Sequence, residues 1–432
     1  MTSNSHIIKP SLRALANLDS GAFIDLENEA SKLPQYDSDT RPEGLIDLSG
    51  AVNGLMDDVL AEEMEKFSRS YDLQQELCKA VSSFVNRYFK PAGSVRAEDV
   101  LITNGVTSLI DLMAFGMCDP GEGIMILTPT YMMFPHDLCA RAGVRLIKVN
   151  PEPMDSQFDS RSTPHLTRAL PEAYVTARKD GIIPRAFLLC NPSNPCGRTY
   201  PHSILVEIAK FCGQNSMHLL SDEIYAMSTF DTSTEKNEAL DPFTSVLSIR
   251  DDPARGVFTE NIHCIYGASK DFGCGGLRLG FLRSVRRLVL FTWVSSFSAA
   301  FFTQFLRDEE AVGRYLVTYR ERLRTQYATT AVLLKEKGIP FGPANSGVFI
   351  FIRLTDWLHY IEESGNASQS REMSLCRYLM KEAGVFLSPG EFSLSTIPGC
   401  FRLVYTRNPK LIELAVSRLA DALDKLSAIR DA

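Results

Sequence analysis

Residues 262–280 read Ile-His-Cys-Ile-Tyr-Gly-Ala-Ser-Lys-Asp-Phe-Gly-Cys-Gly-Gly-Leu-Arg-Leu-Gly. The first five form an apolar run too short for a helix, and the chain then breaks into a glycine-rich loop. A strand so short and so apolar is buried on both faces, which predicts a mainly parallel sheet covered by helices. Five more runs share that character, at 100–103, 124–127, 144–149, 186–190 and 217–220, and helical patterns separate many of them. The fold class is therefore α/β: a large three-layer αβα domain with a mainly parallel sheet. Beyond residue 306 the pattern changes to a long charged helix at 308–337, strands at 347–353 and 401–405, and helices at 371–383 and 409–429. That is a smaller α+β domain. The expected division is an N-terminal arm with part of the small domain at 1–49, the large domain at 50–305, and the C-terminal small domain at 306–432.

The flanking segments are less regular. Residues 1–44 are turn-rich, with Pro34, Pro42 and Gly44 breaking any long helix, whereas 57–89 carries a helical pattern. Loops are expected at 152–165, 231–245 and 361–370. The longest uncharged stretch, 288–306, holds Thr292, Ser295, Ser296, Ser298, Thr303 and Gln304. A membrane span wants ~20 predominantly apolar residues, so a buried helix is the reading.

Composition removes several classes of function. The 432 residues carry 45 basic and 52 acidic side chains, a formal charge of −7, which argues against a nucleic-acid-binding protein. At 45% hydrophobic and 22% charged the chain is ordinary globular material. Its ten cysteines form no C-x-x-C pair and mostly lie in apolar runs, so reduced thiols in a cytoplasmic protein are expected. The N-terminus has no continuous apolar core of a secretory signal, and neither a membrane nor a metal partner is indicated.

Ligands of open α/β sheets bind beyond the carboxyl ends of the strands. After 100–103 comes Asn104-Gly105-Val106-Thr107-Ser108, a helix start suited to an anion. After 124–127 comes an aromatic, Tyr131, and after 186–190 the turn Asn191-Pro192-Ser193-Asn194-Pro195. After 217–220 comes Ser221-Asp222-Glu223-Ile224-Tyr225, and after 262–266 Lys270 stands between Ser269 and, further on, Arg278. Each feature alone has a bland structural explanation. Together they suit one cofactor, a phosphorylated, cationic aromatic ring joined to a lysine, which is pyridoxal 5′-phosphate. A carboxylate ~4 Å from the ring nitrogen would favour its protonation by roughly 4 kcal/mol at an effective dielectric near 20.

The motifs NPSNPCG at 191–197, SDEIY at 221–225 and SKDFGCGGLRLG at 269–280, in this order, resemble the fold type I class I/II aminotransferases, in the branch of 1-aminocyclopropane-1-carboxylate (ACC) synthase. The resemblance runs from about residue 42 to 404 and implies an aspartate aminotransferase-like fold. It implies that Lys270 carries the cofactor covalently and then acts as general base at Cα. Asp222 would pair with the ring nitrogen, and Tyr131 would stack on the ring. Tyr225 and Asn194 would hydrogen-bond the ring oxygen and tune the proton of the lysine–cofactor link, making Tyr225 a second catalytic residue. Val106, Thr107, Ser269 and Arg278 would hold the phosphate. Tyr71 matches a tyrosine that reaches the neighbouring subunit's phosphate, implying a homodimer with shared active sites. Arg402, in the run FRLVY, matches the arginine that binds the substrate α-carboxylate, with Asn194, Ala51 and Val52 also lining the substrate.

Departures from the branch bear on the reaction. Ala51-Val52-Asn53 replaces Ala-Glu-Asn, whose Glu belongs to the pocket that processes S-adenosylmethionine, so Val52 speaks against ACC synthase activity. Gly267 replaces a phosphate-binding Ser, Leu73 a common Gly, and Thr130-Tyr131-Met132-Met133 a Tyr-Tyr-Pro-Gly wall. Relatives lacking that Glu include carbon–sulfur lyases of secondary metabolism that cleave cysteine-derived conjugates in epithiodiketopiperazine pathways. The reading is a β-eliminating C–S lyase acting on an amino-acid-type small molecule, with an aminotransferase as the alternative. ACC synthase fits less well. A non-catalytic, cofactor-binding regulator fits least, because no added DNA-binding segment or basic face is evident.

Overall fold

The computed structural model describes residues 22–50, 55–59, 74–232, 240–283, 294–361 and 370–431. Strand β1 (Ile46–Asp47) precedes the main sheet, whose seven strands are β2 (Val100–Thr103), β3 (Gly123–Leu127), β4 (Arg145–Val149), β5 (Pro184–Cys190), β6 (His218–Asp222), β7 (Ile262–Gly267) and β8 (Gly280–Arg283). Their spatial order is β2-β8-β7-β6-β5-β3-β4. From β7 to β4 all neighbours are parallel, and β8 runs antiparallel to both β7 and β2. This is an α/β fold built on a mainly parallel central sheet. Strands β3, β5 and β7 are buried almost throughout, as their unbroken apolar runs require.

Strands β9 (Phe349–Arg353), β11 (Ser388–Pro389) and β12 (Cys400–Val404) form a second, antiparallel sheet in the order β11-β12-β9. Strand β10 (Val385–Phe386) pairs in parallel with β1, so the segment before residue 50 lies against the C-terminal elements. The helices Glu309–Glu336, Arg371–Glu382 and Pro409–Asp431 complete that half of the molecule.

Several expectations are corrected. Residues 280–283 form strand β8, which the glycine-rich reading of the motif concealed. The turn-rich arm contains the helix Ala22–Lys32, and the loop expected at 152–165 holds two short 3-10 turns before the helix Thr163–Lys179 begins. The apolar stretch expected to be helical at 288–306 is the helix Ser296–Arg307 where it is described, while 284–293 lies outside the described residues. The helical pattern at 57–89 is borne out where it is described, at 57–59 and at Gln74–Tyr88, and 60–73 lies outside the described residues too.

Behind the β7 end an aromatic cluster fixes the chain. The Phe84 ring stacks on Tyr266 at 5.8 Å, and Phe272 meets Phe302 edge-on at 5.2 Å. Tyr315 of the long helix lies 5.5 Å from Phe272. Burying each such ring contributes about 1.5–3 kcal/mol, so the turn that follows β7 rests on a rigid floor.

Candidate active site

The carboxyl ends of β2, β7 and the start of β8 converge on one corner, and glycines permit it. Gly105 has φ +117°, and a Cβ there would collide with the Arg278 guanidinium. The guanidinium therefore lies beside the first turn of the helix Val106–Met117. A Cβ on Gly280 would sit 2.5 Å from the Gly105 carbonyl carbon, and one on Gly267 would sit 2.8 Å from the Val106 Cγ2 and 2.7 Å from the Leu279 carbonyl oxygen. Arg278 is itself left-handed at φ 51°, a conformation that costs a non-glycine residue roughly 1–2 kcal/mol. Its Nη1 donates to the Gly275 carbonyl at 3.1 Å. The free N–H groups of the helix start, its positive dipole end and an exposed guanidinium form an anion cradle, with the exposed Thr107 in that first turn. Ser269, half-buried, lies in the loop leading from β7 to Arg278.

Asp222 ends β6, directly opposite Cys190 of β5 and Ile265 of β7. Its carboxylate accepts the Ile224 N–H at 3.2 Å, and burial pushes its pKa up to about 7. Lys270, three residues beyond β7, is half-buried. Burial draws its amine down to about 8; the positive Arg402 adds to that, while Asp222 pulls the other way. Tyr225 is buried, its phenol pushed far above the ordinary range by burial, and its ring meets Phe349 edge-on at 5.2 Å. Tyr131, raised to about 12 by burial and then by the Asp137 charge, packs edge-on against Phe134 at 5.3 Å.

Arg402 of β12 is 4% exposed. Its Nη1 donates to the Asn194 side-chain oxygen at 3.0 Å, and its Nη2 to the Ser49 carbonyl at 2.6 Å and the Ser388 hydroxyl at 3.3 Å. The guanidinium carbon stands 5.5 Å from the Phe349 ring centre, and Nε is buried without a partner. Among the described residues no carboxylate forms an ion pair with it. A buried guanidinium with an unpartnered N–H, and no ion-paired carboxylate among the described residues, fits a carboxylate ligand.

The sequence profile of the family "Aminotransferase class I and II" matches residues 43–419. The chain belongs to this family. It is 30% identical over 419 residues to 1-aminocyclopropane-1-carboxylate synthase 7 of Arabidopsis thaliana, covering 90% of this chain and 89% of that protein. It is 30% identical to the probable aminotransferase sirI of Leptosphaeria maculans, covering 88% of this chain and 92% of that protein. Among solved structures, the aspartate aminotransferase of Thermus thermophilus with maleate superposes with a TM-score of 0.68 at 19% identity, over 96% of this chain and 97% of that one.

The class I and II aminotransferases depend on pyridoxal 5′-phosphate, and that is the cofactor of this protein. The residues fit it on structural grounds alone. The glycine-bounded helix start suits a phosphate, the buried Asp222 carboxyl suits a ring cation, and Lys270 offers an amine of lowered basicity. The sequence-derived residues Val106, Thr107, Tyr131, Asn194, Asp222, Tyr225, Ser269, Lys270 and Arg278 lie at or within a few residues of strand ends of the main sheet, whereas Arg402 lies in the middle of β12 in the second sheet. Tyr71, Ala51 and Val52 lie outside the described residues.

Sequence reasoning missed Ser49, Ser388 and Phe349, which shape the Arg402 guanidinium, and Asp137. The Asp137 carboxyl is buried with one oxygen unpartnered, and burial followed by the Asp111 charge raises it to about 7. No local pattern marks these four. Only the register, which sets Ser388 opposite Arg402, and the turn carrying Tyr131 toward Asp137 bring them in.

Proposed function

We propose that this enzyme takes an α-amino-acid-type substrate by its carboxylate on Arg402 and removes the Cα proton with Lys270, ending in β-elimination of a thiol from a cysteine S-conjugate. The observation that carries the reading is the buried Arg402, with its unpartnered Nε, whose charge acts on Lys270. Arg402 orients the carboxylate and Asn194 fixes Arg402. Lys270, with its amine drawn toward neutrality, accepts the Cα proton. Bound pyridoxal 5′-phosphate supplies the electron sink for the pair left at Cα. Asp222 holds a proton on the ring nitrogen, Tyr225 and Asn194 bind the ring oxygen, and Tyr131 covers the ring. Val106, Thr107, Ser269 and Arg278 grip the phosphate. In elimination the Cβ–S bond breaks with its electron pair on sulfur, which takes a proton. The released enamine then consumes one water to give pyruvate and ammonia.

The replacement of Glu by Val52 supports elimination, because the wall that serves S-adenosylmethionine is altered. Transamination is the second reading, favoured by the printed name of the Leptosphaeria maculans relative, a probable aminotransferase. We further assign a cytoplasmic homodimer in which Tyr71 completes the partner's phosphate site. The deciding experiment offers a panel of cysteine S-conjugates and plain amino acids to the loaded enzyme. Pyruvate with stoichiometric ammonia and free thiol supports elimination, whereas a 2-oxo acid without ammonia supports transamination. If the Lys270→Ala variant keeps the absorbance band of the lysine-linked cofactor, the whole reading fails.

A further inference from the structure

The residue after Lys270 has a separate design. The Asp271 side chain is fully buried, and one of its oxygens accepts the Met227 N–H at 2.8 Å and the Tyr266 hydroxyl at 2.9 Å. The other accepts the Ser228 hydroxyl, which in turn shares a 2.8 Å hydrogen bond with the Tyr319 hydroxyl. The Asp271 carbonyl accepts the Tyr315 hydroxyl at 3.1 Å. Met227 is fastened from its other side too, because Arg320 Nε donates to its carbonyl at 3.3 Å. The turn held in this way is the one that begins at Tyr225, where Ser228 N–H bonds the Tyr225 carbonyl. One buried carboxylate thus joins the Lys270 backbone to the Tyr225 turn, and the long helix Glu309–Glu336 braces both.

Resting on the reading of Lys270 and Tyr225 given above, we propose that Asp271 is a positioning residue that sets where the Lys270 amine stands relative to the Tyr225 phenol. A carboxylate that only filled space in this aromatic core would be a poor choice, since burying it without partners is costly. Here every bond it makes fixes a group in the two segments that carry the proton-handling side chains. Asparagine preserves most of that geometry: its oxygen can keep the Met227 and Tyr266 bonds while its amide donates to Ser228. Alanine removes all of them.

The test compares Asp271→Ala and Asp271→Asn in the cofactor-loaded protein. Misplacing a reacting group by ~1 Å costs about 100-fold, so Asp271→Ala is expected to lower kcat about 10–100-fold with KM within about threefold. Asp271→Asn is expected to restore most of that loss. A second readout needs no turnover. In the cofactor-free protein, the pH of half-maximal acylation of Lys270, read by peptide mass, should shift in Asp271→Ala while Asp222, Arg402 and Arg278 are unchanged. Unaltered kcat and acylation midpoint in folded Asp271→Ala would overturn the proposal. Equal losses in Asn and Ala would do so as well. If Asp271→Ala does not fold, Tyr266→Phe and Ser228→Ala decide: each removes one bond to Asp271, Ser228→Ala also the one to Tyr319. Each should lower kcat several-fold at near-normal KM, and no change in either refutes the idea. A wild-type protein without the Lys270-linked cofactor band refutes the underlying functional reading instead, which keeps the two failures apart.

Discussion

Arg402 is held by three partners and keeps one buried donor without any. Asn194, Ser49 and Ser388 engage its two terminal nitrogens, and Nε is buried with no partner. Removing one member of a buried, hydrogen-bonded charge pair typically costs 2–5 kcal/mol, so Arg402→Ala should raise KM for the amino-acid substrate by about 30-fold or more. Arg402→Lys should recover only part of it, because an ammonium cannot reproduce the planar fork. Steady-state kinetics across substrate concentration check both, and an unchanged KM in Arg402→Ala would remove Arg402 from carboxylate binding. Asp222, Asn194 and Lys270 could be read from sequence because each closely follows a short apolar run at a strand end. The supports of Arg402 could not. Ser49 lies 353 positions from it in the chain, and Ser388 faces it only through strand register.

The anion cradle belongs to the scale of elements, where three strand ends meet one helix start. Gly280 faces Gly267 of β7 and Thr103 of β2, and its missing side chain lets the Gly105 backbone approach. Gly280→Ala forces those backbones apart. Overpacking of this kind costs about 1–3 kcal/mol, so a lower Tm is expected together with weaker cofactor binding. Calorimetry and cofactor titration would read these effects, and a variant with normal affinity would place the phosphate elsewhere. The parallel strands were legible because each is a short apolar run bounded by polar or small residues. Strand β8 was not, because Gly-Phe-Leu-Arg is too short to show a period and its identity depends on two distant antiparallel partners. The helix Ala22–Lys32 escaped for a related reason: the breakers at Pro34, Pro42 and Gly44 all lie after it, and they say nothing about its own eleven residues.

At the scale of the molecule, among the described residues, burial acts on a small subset of the acidic side chains, and net charge gives no hint which ones. Asp137, Asp222, Glu223, Asp271 and Glu372 are all raised to about 7, each chiefly by burial. An unfolded chain releases those protons near pH 4, whereas the folded chain keeps them to about 7. Their contribution to stability is therefore complete below about pH 4 and is lost as pH rises toward 7. His263, lowered to about 3 by burial, and His218, lowered by the same cause, work in the opposite sense: folding loses stability as pH falls below the ordinary histidine range. Five carboxyls outweigh two imidazoles between about pH 5 and 7, so the cofactor-free protein should melt at progressively lower temperature across that window. Above it the sign reverses for one group. Lys270, drawn down to about 8, favours the folded state increasingly as pH climbs from there toward the ordinary lysine range. Loading with pyridoxal 5′-phosphate should flatten the decline between pH 5 and 7, because a ring cation facing Asp222 offsets the cost of ionising it. Asp222→Asn should flatten it in the cofactor-free protein instead, by removing one of the five titrations. Thermal melts of the two proteins, with and without cofactor, decide the matter: parallel slopes for wild type and Asp222→Asn would show that Asp222 does not titrate in this range.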